Sequence, residues 1–420
     1  MLDTIGVAMA GLIEPVALSV LRTLGSGSTP LDPWSLGPSD LSLVLGAAAH
    51  ALDYDDMCFV SLAHPSAPLV PAIIATGRSA RASGRALLDA YVIGFEIQAR
   101  LGAVMNPRHY QRGWHCTSTL GAISAAAGAS RLLGLDAART AHALAIAASS
   151  ASGLKENFGT MVKPLHAGLA ARDGVLAAML ARDGLTASAK AFDGDQGFLR
   201  AFDSEGGAED FARATGDLGS RWEILDTGIT VKLYPSCAGT HPTLDAVLDL
   251  RSQHGFNVKE VERIDVDVDP IVPTILIHNR PATALEAKFS MPFSVAAAVV
   301  HGRVGIDTFE DAQLQNPNIA ALVPHVRMRV DPEIGKGKPS LTEARVQVHL
   351  KDGRSLTRDA HGARGYPANP ASDAELDAKF IACASRALPA EQTRRALTAL
   401  CAIDQAADVA AVVNSLAQVN

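Results

Sequence analysis

The chain has 420 residues, 48% of them hydrophobic and only 5% aromatic, with a formal net charge of −7. That length holds a large core and two domains, and an acidic chain without a long basic run excludes nucleic acid and a polybasic membrane surface as partners. The five cysteines (Cys58, Cys116, Cys237, Cys383, Cys401) are odd in number and scattered, with no C-x-x-C. This points to a reducing compartment, taken as the cytoplasm, and away from a structural metal site.

The opening MLDTIGVAMAGLIEPVALSVL is apolar, but Asp3, Glu14 and the absence of a basic stretch make it read as helix rather than as a secretory signal. No run of about 18 uncharged apolar residues suggests a membrane span. The apolar run LSLVLGAAA then ends abruptly in HALDYDDMCFVSLAHPSAP, residues 50–68, which holds two histidines and three aspartates. The bland reading is a solvated helix end. The functional one turns Asp53 and His64 into a site and leaves Asp55 and Asp56 to cap or solvate the loop.

In RGWHCTSTLGA, residues 112–122, His115 precedes a helix that starts near Thr117. The positive end of a helix dipole disfavours imidazole protonation, which suits a neutral base; a cap packed beside Trp114 is the plainer alternative. In GTMVKPLHAGLAA, residues 159–171, the residue before a proline is pushed out of helical conformation, so Lys163 is expected just outside the helix that carries His166. Its ammonium could meet an anion drawn to that helix start; a surface lysine is the alternative. Stretches 117–136, 141–153 and 168–184 repeat apolar residues every three to four positions and read as helices packed closely through small side chains.

After about Thr230 the pattern changes. TVKLYPSCAGTHPTLDAVLDL, residues 230–250, gathers Lys232, Cys237 and His241 in or beside a loop leading into a helix. VERIDVDVDP alternates as a strand, and EARVQVHLKDGRSLTRDA reads as two strands joined at Lys-Asp-Gly. Between them KFSMPFSVAAAVVHG is helical, with Lys288 at its start as a surface or carboxylate-steering residue. The last segment, from DAELDAKF onward, returns to helix. The expected architecture is mainly α: an all-α domain of residues 1–229, completed by 366–420, with a smaller α+β domain, 230–365, inserted into it. No nucleotide, dinucleotide or acyl-hydrolase motif follows a strand, and neither His64 nor His361 has a metal-ligand partner at a recognisable spacing.

Taken in order, LDTIGVAMAG, HALDYDD followed by HPS, GWH, KPLHAG, K-x-YP-x-C-x-GTHP and AKFSMPFS resemble the MmgE/PrpD family of 2-methylcitrate dehydratases, cis-aconitate decarboxylases and an iminodisuccinate epimerase. The resemblance covers nearly the whole chain, although family members usually carry about one more helix before LDTIGVAMAG. It implies a helical domain with an inserted lid, a homodimer, and chemistry without metal or organic cofactor on a small polycarboxylate. It assigns catalysis to Asp53, His64, His115, Lys163 and Lys232, with Cys237 beside them; His166, His241 and Lys288 are expected to bind substrate. Abstracting a proton beside a carboxylate needs a base near neutrality, usually histidine, and cations for the charge that develops. Met57, Cys237 and Phe293 stand where the decarboxylases have threonine, histidine and tyrosine. The expected reaction is therefore dehydration, followed by epimerisation, then decarboxylation; a non-catalytic binding protein is the competing class.

Overall fold

The computed structural model describes residues 1–25, 32–203, 205–339 and 341–417. Nine helices lead: α1 (Leu2–Gly11), α2 (Pro15–Gly25), α3 (Pro38–Ala51), α4 (Ser66–Ala80), α5 (Gly84–Met105), α6 (Arg108–Gln111), α7 (Cys116–Leu132), α8 (Ala137–Ser150) and α9 (Val162–Arg182). α7 is buried from Cys116 through Ser130 and packs on α4, α5, α8 and α9. A helix without a polar face can lie only in the middle of such a layer. Its Ala, Gly and Ser residues leave room for neighbours on every side.

Glycine sets the closest crossing. A Cβ built on Gly46 of α3 would lie 2.8 Å from the Cα of Gly168 in α9, and one on Gly168 would overlap the carbonyl oxygen of Leu43. Two backbones therefore meet where any larger residue would force them apart. The crossing brings the last turn of α3 beside the first turn of α9, and both carry candidate site residues.

The second part holds one four-stranded sheet in the order β2-β1-β3-β4. Its strands are β1 (Val261–Val268), β2 (Val326–Val330), β3 (Glu343–Leu350) and β4 (Ser355–His361). β1 runs parallel to β2 and antiparallel to β3, which is antiparallel to β4. Ile264 pairs with Val348 and Val266 with Val346, which puts one apolar face of the sheet under helices His241–His254 and Met291–His301. The last helices, Asp373–Ala384 and Ala390–Cys401, return to the start of the chain, where Phe380 closes over Gly6 of α1. The molecule is thus mainly helical with one small sheet. Among the described residues no single helix is long and apolar enough to cross a membrane; α1 and α2 together reach the length but are bent by 74°.

Two details differ from the sequence reading. α9 begins at Val162, so Lys163 sits inside its first turn rather than before it. Pro164 itself is tolerated in that turn, because first-turn N–H groups need no helical partner. β2, with the sequence VRMRV, was not expected: it is short, and two of its five residues are arginines.

Replacing Gly168 with alanine should destabilise the fold by about 1–3 kcal/mol, since neither backbone can yield without moving its helix. Urea denaturation measures this. A loss below about 0.5 kcal/mol, within the usual range of a surface substitution, would mean that α3 and α9 do not approach this closely.

Candidate functional site

The turn that follows α3 carries the first group. Asp53 has φ of 52°, a left-handed conformation that a side chain with a Cβ adopts at a cost of about 1–2 kcal/mol. Its surroundings hold it there. Lys163 Nζ donates to Asp53 Oδ1 at 2.7 Å, and Lys232 Nζ lies 3.1 Å from the same oxygen and donates to the Asp53 carbonyl at 3.0 Å. Burial alone would push the Asp53 carboxyl up; the two ammoniums outweigh it and hold the group well below the usual carboxylate range.

The flanking carbonyls are bound in the same way. Lys288 Nζ donates to Leu52 O at 2.7 Å and to Pro235 O at 3.0 Å. Lys379 Nζ donates to Tyr54 O at 2.7 Å and to Lys232 O at 2.8 Å. Three consecutive carbonyls just beyond a helix C-terminus thus each receive a buried lysine, where the negative end of the dipole favours cations.

Around this turn lies a cluster of imidazoles. His50 Nδ1 is 2.8 Å from Asp55 Oδ2, and His64 Nδ1 is 3.1 Å from the same oxygen. His64 Nε2 points to the other side, 3.9 Å from Asp53 Oδ1. The His64 backbone N–H donates to Thr117 Oγ1 at 3.1 Å, which ties the loop to α7. His115 occupies the N-cap position of α7 without a side-chain capping bond, and its Nδ1 is 3.1 Å from His166 Nδ1. One ring must donate and the other accept, so this pair is built for neutral imidazoles. Burial is the main reason that His50 falls to about 3 and His166 to about 4. Burial also lowers His64, where it outweighs Asp55, and His115, where His50 and Lys163 add to its effect. In Asp55, burial is outweighed by His50 and His64, and the carboxyl stays well below its usual range.

Asp53, His64, His115, Lys163 and Cys237 line one cavity of about 30 Å³. Cys237 enters from the loop ahead of helix His241–His254, and burial raises its thiol to about 11, so it is protonated at neutral pH. Lys232 stands directly behind Asp53, and His166 behind His115. Two expected substrate-binding residues lie elsewhere. His241 is fully buried against Ser236 O at 3.2 Å, and Lys288 gives its ammonium to backbone carbonyls outside the cavity wall. Phe293 is buried against Phe309 and does not reach the cavity either.

Asp55 overturns its expected role. It is fully buried, not a solvated cap, and it bridges two imidazoles. Asp56 is buried as well and accepts from Ser66. His50 and Tyr110, a further wall of the cavity, were not singled out; an H-x-x-D-x-D spacing at the end of an apolar helix was the available signal for the first.

His50, Asp53, Asp55 and His64 place donor atoms within 4.8 Å of one another, although no metal-ligand spacing was visible in the sequence. Asp53 is already bonded by two ammoniums, so a divalent cation there would meet two positive charges. The donor set fits an ion-pair and proton network better than a coordination shell.

Residues 1–209 match the MmgE/PrpD N-terminal domain and residues 234–405 the MmgE/PrpD C-terminal domain. Human cis-aconitate decarboxylase is 27% identical over 410 residues, covering 92% of this chain and 82% of that protein. The cis-aconitate decarboxylase-like protein oryM of Aspergillus oryzae is 29% identical over 394 residues, 89% of this chain and 81% of that protein. The cis-aconitate decarboxylase of Aspergillus terreus is 24% identical over 365 residues, 82% of this chain and 73% of that protein.

The buried imidazoles give a pH prediction. His50 and His241 titrate near 3, and His109 and His166 near 4, with burial the largest cause in each case. Unfolded histidine titrates near 6.5, so below that pH the unfolded chain binds protons that the folded chain refuses. Their contribution to stability is complete above about pH 6.5 and is lost as pH falls toward 4. Asp56, raised to about 7 by burial, and Asp245, also raised by burial, act in the opposite direction but are two groups against four. Thermal melts should show Tm falling by several degrees between pH 6.5 and 4.5; a flat profile would contradict neutral burial.

Proposed function

Because the chain belongs to the MmgE/PrpD family, we propose that it is a lyase that removes a proton from the carbon beside a carboxylate of a small polycarboxylate and expels water. The proposed chemistry needs neither a metal nor an organic cofactor. The observation that carries this reading is His64: a neutral imidazole with Nδ1 3.1 Å from Asp55, at the edge of a cavity that also presents an ammonium. Asp55 favours the tautomer with hydrogen on Nδ1, which leaves the Nε2 lone pair free as a base.

In the proposed step the C–H bond breaks and its proton passes to His64 Nε2. The electron pair shifts toward the substrate carboxylate, where Lys163, with Lys232 behind it, stabilises the enolate-like charge. The pair then returns to form the double bond as the neighbouring C–O bond breaks. The departing hydroxide takes its proton from Cys237, which faces the same cavity and is left as a thiolate, while the neutral His115 can offer only a hydrogen bond there. Such groups, aimed where charge develops and shielded from water, typically contribute factors of about 10² or more each. A cavity of about 30 Å³ holds about one water molecule. Substrate entry therefore requires the wall built by Cys237, Ala238, Ile275, Phe289 and Leu341 to draw back from the helices, as expected of an inserted lid.

Decarboxylation is the second reading, and the similarity to cis-aconitate decarboxylases supports it. The same cations would stabilise the charge left when CO₂ departs. The assembly we propose is a homodimer; exposed Leu176 and Leu180 on α9 supply an apolar strip that a second copy would cover.

Proton NMR in D₂O with hydroxy-dicarboxylates and hydroxy-tricarboxylates separates the reactions: an alkene with the carbon count retained for dehydration, loss of a carboxylate for decarboxylation. His115→Ala should abolish turnover with an unchanged circular dichroism spectrum. Asp55→Asn should lower kcat by about 10²-fold or more with KM within a few-fold, since the base is mis-oriented while the cations stay. Normal kcat in either variant removes that residue from the mechanism.

A further inference from the structure

The cavity carries little positive charge. Among its lining residues one is a cation, Lys163, and that ammonium already donates to Asp53 Oδ1 at 2.7 Å. Lys232 lies behind Asp53 and is 1% exposed. Lys288 and Lys379 direct their ammoniums to backbone carbonyls. His64 and His115 are neutral and can offer at most one N–H each. The rest of the wall is largely apolar: Met57, Leu62, Phe158, Ile275, Phe289 and Leu341.

A carboxylate entering a closed site needs a cation or several donors, and burying one without them costs several kcal/mol. One carboxylate can take the N–H groups of Lys163 not used by Asp53. A second can be met by the His115 N–H or by Lys232 if Asp53 shifts. A third has no cation to face: what is left is the Tyr110 hydroxyl, the Cys237 thiol and otherwise apolar groups. We infer that the substrate is a small dicarboxylate whose remaining substituent is apolar or uncharged, and that the site selects against tricarboxylates. This rests on the proposed reading of the cavity as a carboxylate site, and it goes further by fixing the number of charges the substrate brings.

The matched pair propane-1,2-dicarboxylate and propane-1,2,3-tricarboxylate differs by one carboxylate on one skeleton. Isothermal titration of the full chain should show the dicarboxylate binding at least tenfold more tightly. Equal or tighter binding of the tricarboxylate overturns the inference, and so does failure of both to bind. A parallel NMR series in D₂O with 2-methylmalate and citrate reads the chemistry separately. Exchange or elimination at least tenfold faster in kcat/KM with 2-methylmalate supports the inference; equal or faster reaction of citrate overturns it. Tighter binding of the dicarboxylate with no reaction of either hydroxy acid upholds the charge selection while removing the lyase reading.

Discussion

The structure depends on three residues, Leu52, Asp53 and Tyr54, whose consecutive carbonyls are each bound by a buried lysine. Lys288, Lys232 and Lys379 come from three distant parts of the chain and converge on one turn at the end of α3. A hydrogen bond from a charged donor contributes about 1.5–3 kcal/mol, and a buried carbonyl left unpaired costs about as much. The clamp therefore offsets the left-handed conformation of Asp53 and fixes where its side chain points. It also joins the helices to the loop that carries Cys237, because Lys288 holds Pro235 O and Lys379 holds Lys232 O in the same bonds.

The chemistry follows from that joint. Asp53 is placed to pair with Lys163, which the Gly46–Gly168 crossing delivers from α9. Asp55, two residues on, is turned inward to meet His50 and His64. Four imidazoles kept neutral by burial, two carboxylates kept ionised by their partners and a single ammonium on the cavity wall make a site poised for proton transfer. Perturbed titration of this kind, specific in its partners and set in a cavity, is the usual mark of a functional site. The same count of charges limits what the site can bind.

Much of this was legible in the sequence. His115 before an alanine-rich helix and the Lys-Asp-Gly hairpin were readable because each is a local rule, a helix start and a turn, whereas the proline rule put Lys163 outside a helix that in fact contains it. The convergence of Asp53, His64, His115, Lys163 and Lys232 came from the order of motifs rather than from spacing. What stayed hidden is non-local. Asp55 looked like one acid among three in a polar loop, and only the left-handed turn at Asp53 buries it. Lys288 looked like a steering cation, because nothing in AKFSMPFS says that its ammonium ends on the carbonyls of Leu52 and Pro235. β2 was missed since an edge strand with two arginines pairs on one side only.

The most direct test of the central claim is the unfolding free energy of Lys288→Met, a substitution that keeps the length of the side chain and replaces no residue lining the cavity. If the lysine clamp organises the turn, two buried carbonyls lose their donor, and denaturant unfolding should show a loss on the order of 2 kcal/mol or more. Stability within about 0.5 kcal/mol of the parent, the usual range for a surface substitution, combined with a raised KM would contradict this and return Lys288 to the role of a substrate-steering cation.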